Sequence, residues 1–302
     1  MYVSHRIGLT EFLARYWKTV LLIIITICAV TTIYLELLHQ YLDTSVLMVT
    51  GLSTAISFFI AFFTAQAYDR WWEARKIWGE FVNDSRSFGR MVTTLFRDSV
   101  DGPEVREIQE RLIRRHIAYL YAVKQHLRGE PQQECLAYLS DEEARQINGS
   151  ANPGNTLLGL QGRDIDAAER AGYIDVIRMA QLNDMLSRFS TSMGMAERIK
   201  LTVFPPYYAS LIQISTWAIV LVVPIALSDQ IGYAAIPFSF VPATILYMVF
   251  LAGRGLLDPF EGLPSDTPMS SIVRTIEINL LEQIGAANIP PPLEPVDGKY
   301  LM

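Results

Sequence analysis

Residues 44–96 read TSVLMVTGLSTAISFFIAFFTAQAYDRWWEARKIWGEFVNDSRSFGRMVTTLF, and this stretch decides the fold. From Thr44 to Tyr68 it carries no charge, and about 20 apolar residues are enough to cross a hydrocarbon core as a helix. At Asp69-Arg70 the chain turns polar, yet no proline or turn cluster marks a stop, and the isolated Gly79 and Gly89 do not end a helix by themselves. The stretch therefore predicts one long helix that leaves the membrane and continues to about Phe96.

Outward from this helix, three more uncharged stretches follow the same rule: Thr19–Leu35, Leu201–Ser228 and Gln230–Gly253. The chain of 302 residues is 51% hydrophobic and only 19% charged, below the quarter or so usual in soluble domains. That composition excludes a soluble globular enzyme, a disordered chain and a secreted disulfide scaffold. A polytopic membrane protein with four spans is expected. Cys28 falls in the first span and Cys135 in a polar segment, so no disulfide framework is implied. A net charge of −6 argues against nucleic acid as a partner. Glu36 follows the first span where a cleavage site would need small residues, so a retained helix is read there.

Charge fixes the expected orientation. All 25 Lys and Arg residues fall before Thr19, between Arg70 and Lys200, or from Arg254 onward. The loop after the first span and the turn at Ser228-Asp229-Gln230 hold none. The positive-inside rule places both termini and the large middle segment in the cytoplasm of a multi-pass cell-membrane protein. Four segments result: 1–68, an N-terminal interfacial helix (residues 4–17) with spans one and two; 69–200, a cytoplasmic helical bundle; 201–253, spans three and four; and 254–302, a cytoplasmic C-terminal helix and Pro-rich tail.

Within the polar segments, a turn at Asp101-Gly102-Pro103 starts a helix from Glu104 to Arg128 that ends at Gly129. Residues 148–163 are rich in Gly and Asn and read as a loop, followed by a helix from about Ile165 to Met193. Pro205-Pro206 interrupts any helix entering span three, and Pro237 and Pro242 do the same within span four. Thr267-Pro268 starts a helix to about Ile284. Ile289 to Pro295, with four prolines, reads as an extended strap.

Catalytic chemistry is absent from the pattern. No HExxH, Walker A or GxSxG motif occurs, His5, His39, His116 and His126 are scattered, and no metal or cofactor is expected. Intramembrane polarity gathers instead in span two, at Thr50, Gly51, Ser53, Thr54, Ser57, Thr64 and Gln66. Such a helix suits close packing or a water-filled lumen. Phe58, Phe59, Phe62 and Phe63 form i, i+4 pairs on two adjacent faces, and periodicity does not say which face looks where.

Several separated segments resemble the bestrophin family: SFFIAFFTAQAYDRWWEARKIWG at 57–79 with its Arg70-Trp71-Trp72-Glu73 signature, MGMAERIKLTVFPPYY at 193–208, DPFEGLPSDTP at 258–268 and RTIEINLLEQIG at 274–285. The resemblance implies an all-α homopentameric ion channel with a central pore, whose partners are the lipid bilayer, further copies of itself and small inorganic ions. Counted back from Arg70, it implies a pore neck of Thr54, Phe58 and Phe62, with Thr54 standing where the family pattern is apolar. It similarly implies Ile177 as a cytoplasmic aperture. Animal members hold Ca²⁺ on acids after the fourth span; Glu261 and Asp266 are too sparse here for the oxygens that ion takes, so no calcium clasp is expected.

The family reading favours anions such as chloride. Against it, Glu36, Asp43 and Asp229 make the outer loops acidic and leave a cation-selective channel as the alternative. A non-conducting scaffold or receptor, and a secondary transporter, are disfavoured by the hydroxyl-rich second span and by the lack of repeats and intramembrane charge.

Overall fold

The computed structural model describes residues 9–42, 44–96 and 102–302. Ten α-helices are described, with no strand among these residues beyond one isolated bridge between Val296 and Tyr300. They are α1 (Leu9–Ile33), α2 (Val46–Thr94), α3 (Pro103–Arg128), α4 (Gln133–Leu136), α5 (Asp141–Asn148), α6 (Pro153–Arg170), α7 (Val176–Leu201), α8 (Pro206–Ile231), α9 (Ala235–Arg254) and α10 (Met269–Gln283). The chain forms two compact units, one from the described residues within 4–71 and 203–257, the other from 72–202 and 258–302. Helix α2 contributes to both.

The first unit holds the apolar helices. Among the described residues three stretches are long and apolar enough to cross a membrane: Tyr16–Leu38, a window within Val46–Thr94, and Pro206–Arg254. The last comprises α8 and α9, broken by a 3₁₀ turn at Gly232–Ala234 where Gly232 takes φ +58°. The two helices pack side by side, with the Trp217 and Tyr247 rings 5.3 Å apart. Ile23 and Ile27 of α1 join Val220 and Ala243 in one buried cluster, and Ile56, Ile60 and Phe63 of α2 join Ile212, Ile219 and Phe250 in another.

Two expectations change in this unit. The interfacial helix of 4–17 falls partly outside the described residues, and from Leu9 onward the chain is continuous with α1. The prolines of span four do not break it. Pro237 lies in the first turn of α9, where an N–H has no intrahelical partner to lose, and Pro242 sits inside an unbroken helix. Pro224 is carried inside α8 in the same way. A feature the pattern did not announce is the π-helical turn Tyr34–Leu38 that ends α1.

The second unit is built around α3. Leu112, Ile113, Ile117, Tyr119 and Leu120 are buried against Trp78, Phe81 and Phe88 of α2 and Phe189 of α7. The helix is buried on its polar side as well. Arg115 reaches Glu143 and, at 2.8 Å, Asp164, which also accepts from Arg111 at 2.7 Å. Burial acts to raise the Glu143 carboxyl, but the Ser140 backbone N–H and the Arg115 guanidinium outweigh it and hold its pKa below the usual value. Glu277 of α10, also buried, accepts from the Tyr121 and Tyr138 hydroxyls and pairs with Arg274 at 2.9 Å. A buried charge is tolerated only when paired and hydrogen-bonded in this way.

Helix α3 starts at Pro103 with Gly102 as its cap and stops at Gly129, whose φ of +66° makes it a left-handed terminator; Asp101 lies outside the described residues. The loop expected over 148–163 is instead mostly helix. Asn152 accepts from the Asn155 N–H at 3.0 Å, Pro153 opens α6, and the glycine that suggested flexibility, Gly154, is small because Met193 and Val123 press against it. The single helix expected over Ile165–Met193 is two. Gly172 at φ +77° ends the turn after α6, and Asp175 caps α7 through the Arg178 N–H at 2.9 Å. Helix α7 ends at Leu201, before Pro205-Pro206. Helix α10 starts one residue later than expected, with Pro268 in the cap position and no side-chain cap. The strap after it is tied by Arg274 to the Pro291 carbonyl at 3.3 Å.

Candidate functional site

Helix α2 has two chemically different sides. Ile56, Ile60, Phe63 and Ala67 are buried, and Phe63 is held edge-on to Phe204 at 5.5 Å and beside Phe250 at 5.4 Å. On the other side Thr54 is exposed, and Phe58 and Phe62 are 63% and 61% exposed. The structure thus separates the phenylalanines that periodicity could not: Phe63 is core, while Phe58, Phe59 and Phe62 are turned outward.

The helix hydroxyls are satisfied locally. Thr54 donates to the Thr50 carbonyl at 2.8 Å, Ser57 to Ser53 at 2.7 Å and Thr64 to Ile60 at 2.9 Å. Close packing accounts for one of them: a Cβ at Gly253 of α9 would stand 2.9 Å from the Thr64 hydroxyl and 3.2 Å from its Cα. Thr54 is exposed, and its hydroxyl is turned back along the helix to the Thr50 carbonyl.

The signature residues are divided between the two units. Trp71, half-buried, lies 5.8 Å from the Tyr68 ring, and Arg70 is half-buried beside it in sequence. In the other unit Trp72 is exposed, and Glu73 pairs with Arg198 of α7 at 2.5 Å. A further pair joins α2 to α7, Asp84 with Arg188 at 2.9 Å, and the Leu95 carbonyl just past α2 accepts from Arg178 at 2.8 Å. The α7 partners were not singled out from sequence, because separations of 83 to 125 residues leave no local pattern. Ile177, the second residue of α7, is 73% exposed at the edge of an open groove with Met91, Leu95 and Asp184.

Two of the acids expected in the outer loops are structural ties. Asp229 accepts from the Tyr34 hydroxyl at 3.0 Å, and Glu36 accepts from Tyr233 at 2.7 Å. Both join the π turn after α1 to the α8–α9 turn region; Asp43 lies outside the described residues.

Compared with known proteins, the bacterial/fungal bestrophin protein family matches residues 10–282. The chain belongs to that family. A "voltage-dependent anion channel-forming protein" of Mesorhizobium japonicum, mll4386, is 29% identical over 245 residues, 81% of this chain and 76% of the relative. The similarly named YneE of Escherichia coli strain K12 is 31% identical, covering 81% of this chain and 78% of its own. A crystal structure of a bacterial bestrophin homolog from Klebsiella pneumoniae shares the fold, with a TM-score of 0.83 at 23% identity over 89% of this chain and 98% of that one.

The segment after α9 tests this bestrophin for a calcium site. Asp258 is engaged by Lys200 at 2.6 Å, and Asp266 accepts from the Leu263 N–H at 2.9 Å through one oxygen. Burial raises the Asp266 carboxyl above the usual range, which disfavours the charged form a hard cation needs. Among the described residues no three His, Cys, Asp or Glu side chains are grouped to hold a metal. These residues do not fit Ca²⁺.

Proposed function

We propose that this bestrophin assembles as a homopentamer in the cell membrane and passively conducts small monovalent ions, anions such as chloride foremost, through a central pore. Each protomer crosses the bilayer four times, with α8 and α9 as separate crossings and both termini in the cytoplasm. Segments 69–200 and 254–302 then form the cytoplasmic part. The neck is lined by Thr54, Phe58 and Phe62, and Ile177 forms a second aperture in the cytoplasmic part.

One observation carries this reading: α2 buries Ile60 and Phe63 in its own protomer and leaves Thr54, Phe58 and Phe62 exposed in a row four residues apart. Five such rows facing one another give stacked rings of phenyl groups below a ring of hydroxyls. A constriction of that kind gates by dewetting, and the electropositive ring edges are compatible with an anion. The anion preference is supported by the names of the relatives, and the Tyr34 and Tyr233 hydrogen bonds are consistent with outer acids that serve packing.

A cation-selective pore is the second reading, and Asp69 favours it. This exposed carboxylate follows Phe62 by seven residues and so shares its side of α2. Five of them at the end of the neck concentrate cations. Reversal potentials of the reconstituted protein under a salt gradient decide the sign. In the same bilayers, Phe58→Ala with Phe62→Ala is expected to raise conductance; unchanged currents in that double variant remove both residues from the pathway.

A further inference from the structure

The exposed positions of α2 spaced four residues apart do not stop at Phe62. They run Thr50, Thr54, Phe58, Phe62, Gln66, all five exposed and each turned about 40° round the helix from the one before, so that Gln66 lies beside Phe62 on the next turn. The chemistry along the row is hydroxyl, hydroxyl, phenyl, phenyl, amide. Thr50 and Thr54 meet their donor need inside the helix, through the Val46 and Thr50 carbonyls at 2.8 Å each. Gln66 differs in kind. Its amide brings two N–H donors and a carbonyl, in the middle of a helix whose backbone groups are already paired. Such a group demands water or a polar partner and is costly against hydrocarbon.

We infer that Gln66 is a fifth lining residue that ends the dry section of the pore, an inference that rests on the neck reading above. Phe58 and Phe62 are separated by ~6 Å of helix rise. With the Thr54 hydroxyl one turn before them and the Gln66 amide one turn after, the apolar wall is only two rings long. An ion that has shed water between the phenyl rings regains polar contact at the amide. The N–H groups turn to an anion and the carbonyl to a cation, so Gln66 shortens the barrier without choosing the sign. A longer apolar wall dewets more readily, which makes the length of this section a determinant of conductance.

Full-length protein carrying Gln66→Leu, Gln66→Glu or Gln66→Lys is compared in planar bilayers with the unsubstituted protein and with Phe62→Ala. Gln66→Leu, close in size and uncharged, adds a third apolar ring and is expected to lower unitary conductance severalfold. Gln66→Glu and Gln66→Lys are expected to move the reversal potential in a salt gradient in opposite directions, toward cations and anions respectively. If Phe62→Ala raises conductance while Gln66→Leu leaves it unchanged, the row ends at Phe62 and the inference is overturned. If Phe62→Ala changes nothing either, the neck reading itself has failed. Should the charged variants not assemble, Gln66→Leu alone decides.

Discussion

Phe62 and Phe63 are neighbours in sequence and opposites in environment, one mostly exposed and the other fully buried among Phe204, Tyr208 and Phe250. Truncating Phe63 leaves a cavity, so Phe63→Ala is expected to cost ~3–5 kcal/mol. Phe62→Ala is expected to change stability by less than about 0.5 kcal/mol, as surface substitutions do. Thermal unfolding of the detergent-solubilised variants checks this, and equal losses at both positions would contradict the two-sided description of α2. His116 is a second residue whose setting matters. It is fully buried, 2.9 Å from the Ser85 hydroxyl and packed on Phe88 and Phe189. Burial lowers its pKa from 6.5 to about 3. The unfolded chain therefore binds a proton that the fold refuses. This contribution is complete above about pH 6.5 and is lost as pH falls toward 3. Stability is expected to fall by up to about 1.4 kcal/mol per pH unit below that point. Measured between pH 7 and 5, ahead of most carboxylates, the fall should be smaller in His116→Gln; an identical slope counts against the assignment.

At the scale of elements, the helices legible in the sequence were those announced by composition or by a stop signal. The uncharged run of α2 and its unbroken charged continuation marked a single helix, and the structure has it over Val46–Thr94. Gly129 and Pro205-Pro206 marked real ends because their backbones cannot continue a helix there. Composition misled at 148–163. Its glycines suggested a loop, but Gly154 is there for close packing on Met193 and Val123, and Asn152-Pro153 is a helix start. Asn152→Ala is expected to cost ~1 kcal/mol of stability through loss of the cap. Its side-chain amide also donates to Glu197 at 2.8 Å, so Asn152→Ser, which keeps an uncharged capping oxygen and drops the amide, separates the two contributions in the same melting measurement.

For the whole molecule, the proposed function rests on an assembly that one protomer only implies through the rings it leaves uncovered. Native mass spectrometry in detergent is expected to give five times the 34.1 kDa chain. A stable monomer or dimer as the sole species would leave Phe58 and Phe62 without facing copies and would sink the neck.

Hydropathy and charge placement are properties of the chain alone, and they determined the apolar stretches, the expected orientation and the long second helix. A helical row is also a property of the chain, so Thr54, Phe58, Phe62 and Gln66 could be lined up from numbering. Which side of that helix is core could not, because Phe58, Phe59, Phe62 and Phe63 are chemically the same. Only the packing of Phe204, Tyr208 and Phe250 onto Phe63, from segments more than a hundred residues away, decided it. The same holds for Tyr34 with Asp229, Glu73 with Arg198 and Tyr121 with Glu277. Local backbone preference and solvent transfer act residue by residue and can be read in order, whereas the partner of a buried ring or charge is chosen by the tertiary fold.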